Sequence, residues 1–164
     1  MLDSTDLRSL LSHIFESHQR EQDPVRTLLW AKMAVMEVGG WTEDCVDKII
    51  TERASDLGLT SCKPLQERVK RTHGFGYSDH FRPLIVELVG NVGADRVEQR
   101  LLAERERLKM ALAELKQARD TRAHTHIRAR SQIDAPSKAI DLLNKIEREL
   151  NAFSRELAQI ELKP

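Results

Sequence analysis

The stretch IDAPSKAIDLLNKIERELNAFSRELAQIEL, near the C-terminus, leaves this chain the fewest possible folds. Its apolar residues Ile140, Leu143, Ile146, Leu150, Phe153, Leu157 and Ile160 recur at intervals of three and four, with charged residues between them. That is the period of a helix with one buried face; a strand would alternate by twos. Pro136 opens the pattern, where its missing N–H and fixed φ suit the first turn, and Asp134 or Ala135 stands before it.

The same period returns along the rest of the chain. Leu7, Leu10, Leu11, Ile14 and Phe15 predict a short first helix. Asp23-Pro24 reads as the N-cap and first-turn proline of a second helix, which carries Leu28, Leu29, Ala31, Val35, Val38, Cys45, Ile49 and Ile50. Gly39-Gly40 interrupts this second helix at a cost of about 2 kcal/mol against two alanines. The apolar stripe keeps its phase across the pair, so one long helix is expected to about Ala54. The glycines either end it early or let a neighbouring helix approach closely.

From residue 57 to residue 80 the pattern weakens around Gly58, Pro64, Gly74 and Gly76, and one short helix is expected after Pro64. His73, Phe75, Tyr77 and His80 cluster here. Covering a helical core is the expected job of this stretch, ahead of contacting RNA bases. A helix resumes near Pro83 with Leu84, Ile85, Leu88 and Val89 and breaks around Gly90 to Gly93. Val97, Leu101, Leu108, Leu112 and Leu115 then predict one long helix. No segment alternates like a strand. The expected architecture is a single all-α domain over residues 1–164, a bundle of four or five helices.

Hydrophobic residues make up 40% and charged residues 32%, a balance that suits a globular helical protein and excludes a disordered chain or a fibre. No apolar run approaches the roughly 18 residues of a membrane span. The start, MLDSTDLRSLLSHIF, lacks a basic region followed by an apolar core. Cys45 and Cys62 form no Cys-x-x-Cys pair, so reduced thiols in a cytoplasmic protein are expected. The formal net charge is zero, which does not suit a non-specific polyanion binder. Yet residues 96–130 carry 10 basic and 5 acidic side chains, while residues 1–50 carry 5 and 9. A local basic face of that kind could hold a few phosphates.

Within it lies ARDTRAHTHIRARS, residues 118–131. Arg119 falls four residues after Leu115 and continues the apolar stripe. Burying a lone guanidinium is costly, so it should meet a carboxylate, a phosphate or a partner subunit. Glu37, Trp41, Glu43 and Asp44 on the second helix form an acidic patch, a candidate partner for Arg119 or Arg122. Arg119 and His126, seven apart, share a face of a regular helix. Arg119 and His124, five apart, lie roughly 140° from each other around it. They converge if the helix loosens or if a two-fold axis brings a second copy to the same cleft.

These residue types suit RNA transesterification: histidine moves protons near neutrality, and the planar arginine fork matches phosphate oxygens. A neighbouring aspartate can orient either, and no metal or other cofactor is required because the substrate supplies its own nucleophile. His124-x-His126 as metal ligands lacks nearby cysteines and a third ligand. Trp30 and Trp41 are expected in the core or an interface.

LKQARDTRAHTHI, at the end of a long helix in an all-α chain, resembles the signature of the HEPN superfamily: Arg, a polar residue, a few more residues, then a His preceded by Ala. Arg119, Asp120, Ala123 and His124 match it; the usual Asn is Asp120 here, which adds negative charge beside the phosphate site. Ile133 to Ser137 (IDAPS) and WAKMAVMEVGGW look like the RiboL-PSP type of HEPN domain, found near restriction, toxin and other defence genes. The resemblance runs from about Pro24 to Leu157.

It implies a HEPN-like helical homodimer, paired through the Arg119–His124 face, whose interface cleft cuts RNA without metal. Arg119 would stabilise the phosphate, His124 move protons and Asp120 orient them. Arg122, His126 and Arg128 would support them or bind RNA. His126 also fits the spacing of the motif, and the Ala-His pair favours His124. An antitoxin such as a minimal nucleotidyltransferase is the partner implied. Other HEPN domains are non-catalytic interaction or RNA-binding modules.

Overall fold

The computed structural model describes residues 2–59, 63–71, 74–124 and 135–160, and of residues 63, 64, 71 and 122–124 the backbone alone. Six α-helices and one π-helical turn follow in order: α1 (Thr5–Arg20), α2 (Pro24–Asp56), α3 (Lys63–Arg71), the π turn (Tyr77–Phe81), α4 (Arg82–Arg100), α5 (Leu102–His124) and α6 (Pro136–Ala158). The described residues include no strand, as the sequence period predicts. The helix count exceeds the expected four or five. The break expected at Gly90 to Gly93 is a kink within α4, and the boundary between α4 and α5 falls at Leu101 instead.

α2 is the axis of the bundle and packs on α1, α5 and α6, while α6 also packs on α5 and α1. The Asp23 carboxylate caps α2, accepting the Val25 N–H at 2.8 Å. The helix runs unbroken through Gly39-Gly40 to Asp56. Its inner face buries Ala34, Val35, Val38, Val46, Ile49 and Ile50 against Leu108, Leu112 and Leu115 of α5 and Leu143, Ile146 and Leu150 of α6. Trp30 and Trp41 lie partly buried at the edge of this core, and the Trp41 Nε1–H donates to the Asp3 carbonyl at 3.0 Å.

Gly90 adopts φ 73° and ψ 169°, so α4 carries a sharp kink at the predicted break. The predicted single helix from Val97 through Leu115 is interrupted: Leu101 leaves helical geometry at φ −108°, ψ 35°, although its N–H still bonds the Val97 carbonyl. Neither Gly nor Pro marks this break. Ion pairs secure both sides of it, Arg100 with Glu156 of α6 at 2.7 Å and Arg105 with Glu98 of α4 at 3.7 Å. The new direction lets α5 run along α6.

Between α3 and α4 the chain returns its aromatics to the core. Phe75, Tyr77 and Phe81 are buried, and Tyr77 and Phe81 meet Phe153 of α6 in edge contacts with centroids 5.9 and 5.4 Å away. The Tyr77 hydroxyl donates to the buried Glu98 carboxylate at 2.8 Å, which Arg82 also meets at 3.1 Å. Burial, first of all, and this bond push the Tyr77 phenol pKa up. The expectation that this stretch covers the core holds for Phe75 and Tyr77; His73 lies outside the described residues, and a π turn was not foreseen.

Candidate functional site

Arg119 sits one turn beyond Leu115 on α5, where the buried stripe reaches the rim of the bundle. Its side chain remains about a quarter exposed, at 28%. Three neighbours define its place. Its Nη1 donates to Glu43 Oε1 of α2 at 2.8 Å, a charge-assisted bond between two partly exposed side chains. Its guanidinium carbon stands 4.8 Å from the centroid of the Phe75 ring, in cation–π range. Its aliphatic stem passes over Gly39: a Cβ added there would lie 3.6 Å from Arg119 Cδ and 3.5 Å from Phe75 Cε1.

The sequence pointed to a carboxylate, a phosphate or a partner subunit for Arg119, and the fold supplies the carboxylate, from the acidic patch singled out on α2. At these distances a Cβ at position 39 would be in ordinary van der Waals contact with both side chains, so the arginine stem and the phenylalanine ring lie side by side over this point of α2.

Asp120 is exposed, and its Oδ1 stands 3.9 Å from Arg119 Nε, too far for a hydrogen bond. His124 is the last residue of α5, so the backbone between it and Arg119 is helical throughout. Five helical residues set the two roughly 140° apart and about 7.5 Å along the axis. The helix does not loosen between them, which removes the route by which the two would converge within a single chain. The Arg122 and His124 side chains, and His126 and Arg128 altogether, lie outside the described residues.

Around Arg119 the fold gathers residues that the sequence did not tie to it. Phe75 forms its platform. Lys116, one turn earlier on α5, stands 3.9 Å from Asp79 of the π turn. His80, on the same turn, accepts the Gly76 N–H at Nδ1. The sequence singled out Phe75 and His80 as part of an aromatic and histidine cluster, but about forty residues of chain separate them from the arginine, and no local pattern reports that proximity.

Among the described residues no three His, Cys, Asp or Glu side chains converge as a metal site. None of their helices is long and apolar enough to cross a membrane. Comparison with family models, with curated proteins and with solved structures finds no match to this chain.

Proposed function

We propose that this chain is a metal-independent endoribonuclease of the HEPN type, acting as a cytoplasmic homodimer in a toxin–antitoxin or anti-phage system. The observation that carries the reading is the seating of Arg119: a cationic fork at the rim of the core, fixed by Glu43 and Phe75, on the helix whose last residue is His124. Among the described residues Glu43 accepts from one N–H of that fork, and the reading assigns the others to phosphate oxygens.

In the reaction proposed, a histidine takes the proton of the ribose 2′-hydroxyl and the 2′-oxygen attacks phosphorus. The bond to the 5′-oxygen breaks, and that oxygen takes a proton. The products are a 2′,3′-cyclic phosphate and a 5′-hydroxyl. Arg119 stabilises the charge that grows on the non-bridging oxygens, and Asp120 orients the proton-moving histidine, His124 or its neighbour His126. Arg122 and Arg128 contact the RNA backbone. Because α5 is regular from Arg119 to His124, a His124 that faces a given Arg119 comes from a second copy.

An exposed face of α2 suits that copy. Val25, Leu29, Met33 and Met36 form an exposed apolar stripe, with Leu29 and Met36 each at 50% exposure. The stripe ends at Gly40, one turn before Glu43. Arg26 and Lys32 lie in its N-terminal half, and Glu37 and Asp44 toward its C-terminal end. Antiparallel pairing about a two-fold axis sets the basic half of one α2 against the acidic half of the other. An antitoxin such as a minimal nucleotidyltransferase completes the proposed system.

The decisive test is digestion of single-stranded RNA in excess EDTA. Wild type should leave cyclic phosphate ends. Arg119→Ala and His124→Ala should each lower the rate by at least about 100-fold; unchanged rates would remove those residues from the mechanism.

The Arg119–Glu43 bond itself favours a second reading, a non-catalytic helical interaction or RNA-binding module in which Arg119 ties α5 to α2. Under it, Arg119→Ala and Glu43→Ala lower stability alike and no RNA is cut.

A further inference from the structure

Gly74 and Gly76 flank Phe75, and His80 touches both. The Gly76 N–H donates to His80 Nδ1 at 3.1 Å. The imidazole also lies against Gly74, where an added Cβ would fall 2.9 Å from both Cε1 and Nε2. Gly74 has φ 131°, in the range that favours glycine, so both the space and the backbone exclude a side chain there. His80 therefore clamps the chain on either side of Phe75. The Phe75 ring is 1% exposed, and on it rests the guanidinium of Arg119.

We propose that His80 is a positioning residue for the Arg119 site, acting through Gly74–Gly76 and Phe75, and that protonation of its imidazole releases the clamp. This rests on the reading that Arg119 handles an RNA phosphate. Because Nδ1 accepts a backbone N–H, the neutral ring carries its proton on Nε2. A second proton, on Nδ1, would set donor against donor, and the bond to Gly76 would be lost. The clamp is therefore closed while the ring is neutral and open once Nδ1 is protonated.

The charged groups around His80 come from the turn itself, α4 and α5; α6 meets the turn through the Phe153 ring. Asp79, beside it, has Oδ2 3.7 Å from a Cβ placed on Gly76. From α5, Lys116 stands 3.9 Å from Asp79, and Arg119 lies across Phe75. From α4, Arg82 is held by Asp95 at 3.0 Å and by Glu98 at 3.1 Å, and Arg105 of α5 stands 3.7 Å from Glu98. Tyr77 of the same turn is bonded to Glu98. Of these carboxylates, Asp79 lies with the imidazole at Gly76 and is paired with Lys116.

The test compares full-length wild type with His80→Asn and His80→Ala. Asparagine offers an acceptor oxygen in place of Nδ1 and does not titrate; alanine offers no acceptor. The first readout is the rate of single-stranded RNA cleavage in EDTA at pH 8 and pH 5. The ratio of the His80→Asn rate to the wild-type rate cancels the titration of His124 and His126, which both proteins share. It should rise by about ten-fold on acidification, the worth of one hydrogen bond. His80→Ala should be slow at both pH values. A ratio indifferent to pH, or His80→Ala cutting as fast as wild type at pH 8, overturns the proposal.

The second readout needs no RNA: the amide resonance of Gly76 and the Nε–H resonance of Arg119 followed from pH 8 to pH 5. Both should move together in wild type and stay in place in His80→Asn, and a failure of either to move in wild type also overturns the proposal. If no variant cuts RNA, the endoribonuclease reading falls, and these resonances alone decide whether His80 positions Arg119.

Discussion

Arg119 continues a stripe whose other members on α5, Leu108, Leu112 and Leu115, are fully buried, and two features make the charge tolerable there. Glu43 supplies the counter-charge, and the Phe75 ring supplies an aromatic face for the guanidinium. An arginine out of place on an apolar stripe was legible in the sequence. Its choice of Glu43 among the four acidic-patch residues was not, because that depends on the rotation of α2 against α5.

Cys45 shows the same division. Its position on the buried face followed from helical spacing; the strength of its protection needed the packed core. Burial, with the nearby Asp44 charge as a smaller cause, pushes its thiol pKa up from 9.0 to about 12. In a Cys62→Ser background, Cys45 should react with a disulfide reagent at pH 8 no faster than the protein unfolds; reaction within the mixing time would show the thiol to be accessible. Since folding raises this pKa, the stability it brings is whole below pH 9 and is lost as the pH climbs toward about 12. Relative to Cys45→Ala, wild type should lose stability over that alkaline interval.

The helices follow their sequence period closely where a stripe is long and capped. α2 starts at Pro24 behind its Asp23 cap, and α6 starts at Pro136, each as the first-turn proline predicts. The break at Leu101 escaped the sequence because the residues around it are good helix formers. Tertiary ion pairs and the run of α5 along α6 override that propensity.

Glycines that look alike in sequence are separated at this scale. A Cβ at Gly40 meets nothing within 4 Å and sits in a regular helix, so Gly40→Ala should stabilise by about 1 kcal/mol. Gly90 also has open space, but its φ of 73° and ψ of 169° belong to glycine alone, so Gly90→Ala should destabilise by about 1–3 kcal/mol. Urea denaturation of the two variants measures both, and equal signs would contradict the backbone argument.

For the molecule as a whole, the exposed stripe Val25, Leu29, Met33 and Met36 is the surface by which the proposed dimer is tested. Met33→Glu with Met36→Glu should convert dimer to monomer in sedimentation velocity while leaving the thermal unfolding of the diluted monomer within about 1 kcal/mol of wild type, since both side chains are largely exposed. A dimer indifferent to both charges would move the interface elsewhere.

By itself, the sequence determined the all-helical class, the buried faces of α1, α2 and α6 apart from the exposed Leu10 and Leu29, the Asp23 cap, the kink at Gly90 and the anomaly of Arg119. These are encoded within a few turns of chain, where period, caps and glycine act locally. Only the tertiary structure decided that α4 and α5 part at Leu101, that Glu43 holds Arg119, and that a loop some forty residues away brings Phe75 to that arginine. Those outcomes depend on how the packed helices are rotated and staggered against one another, a relation between distant segments that no local period records.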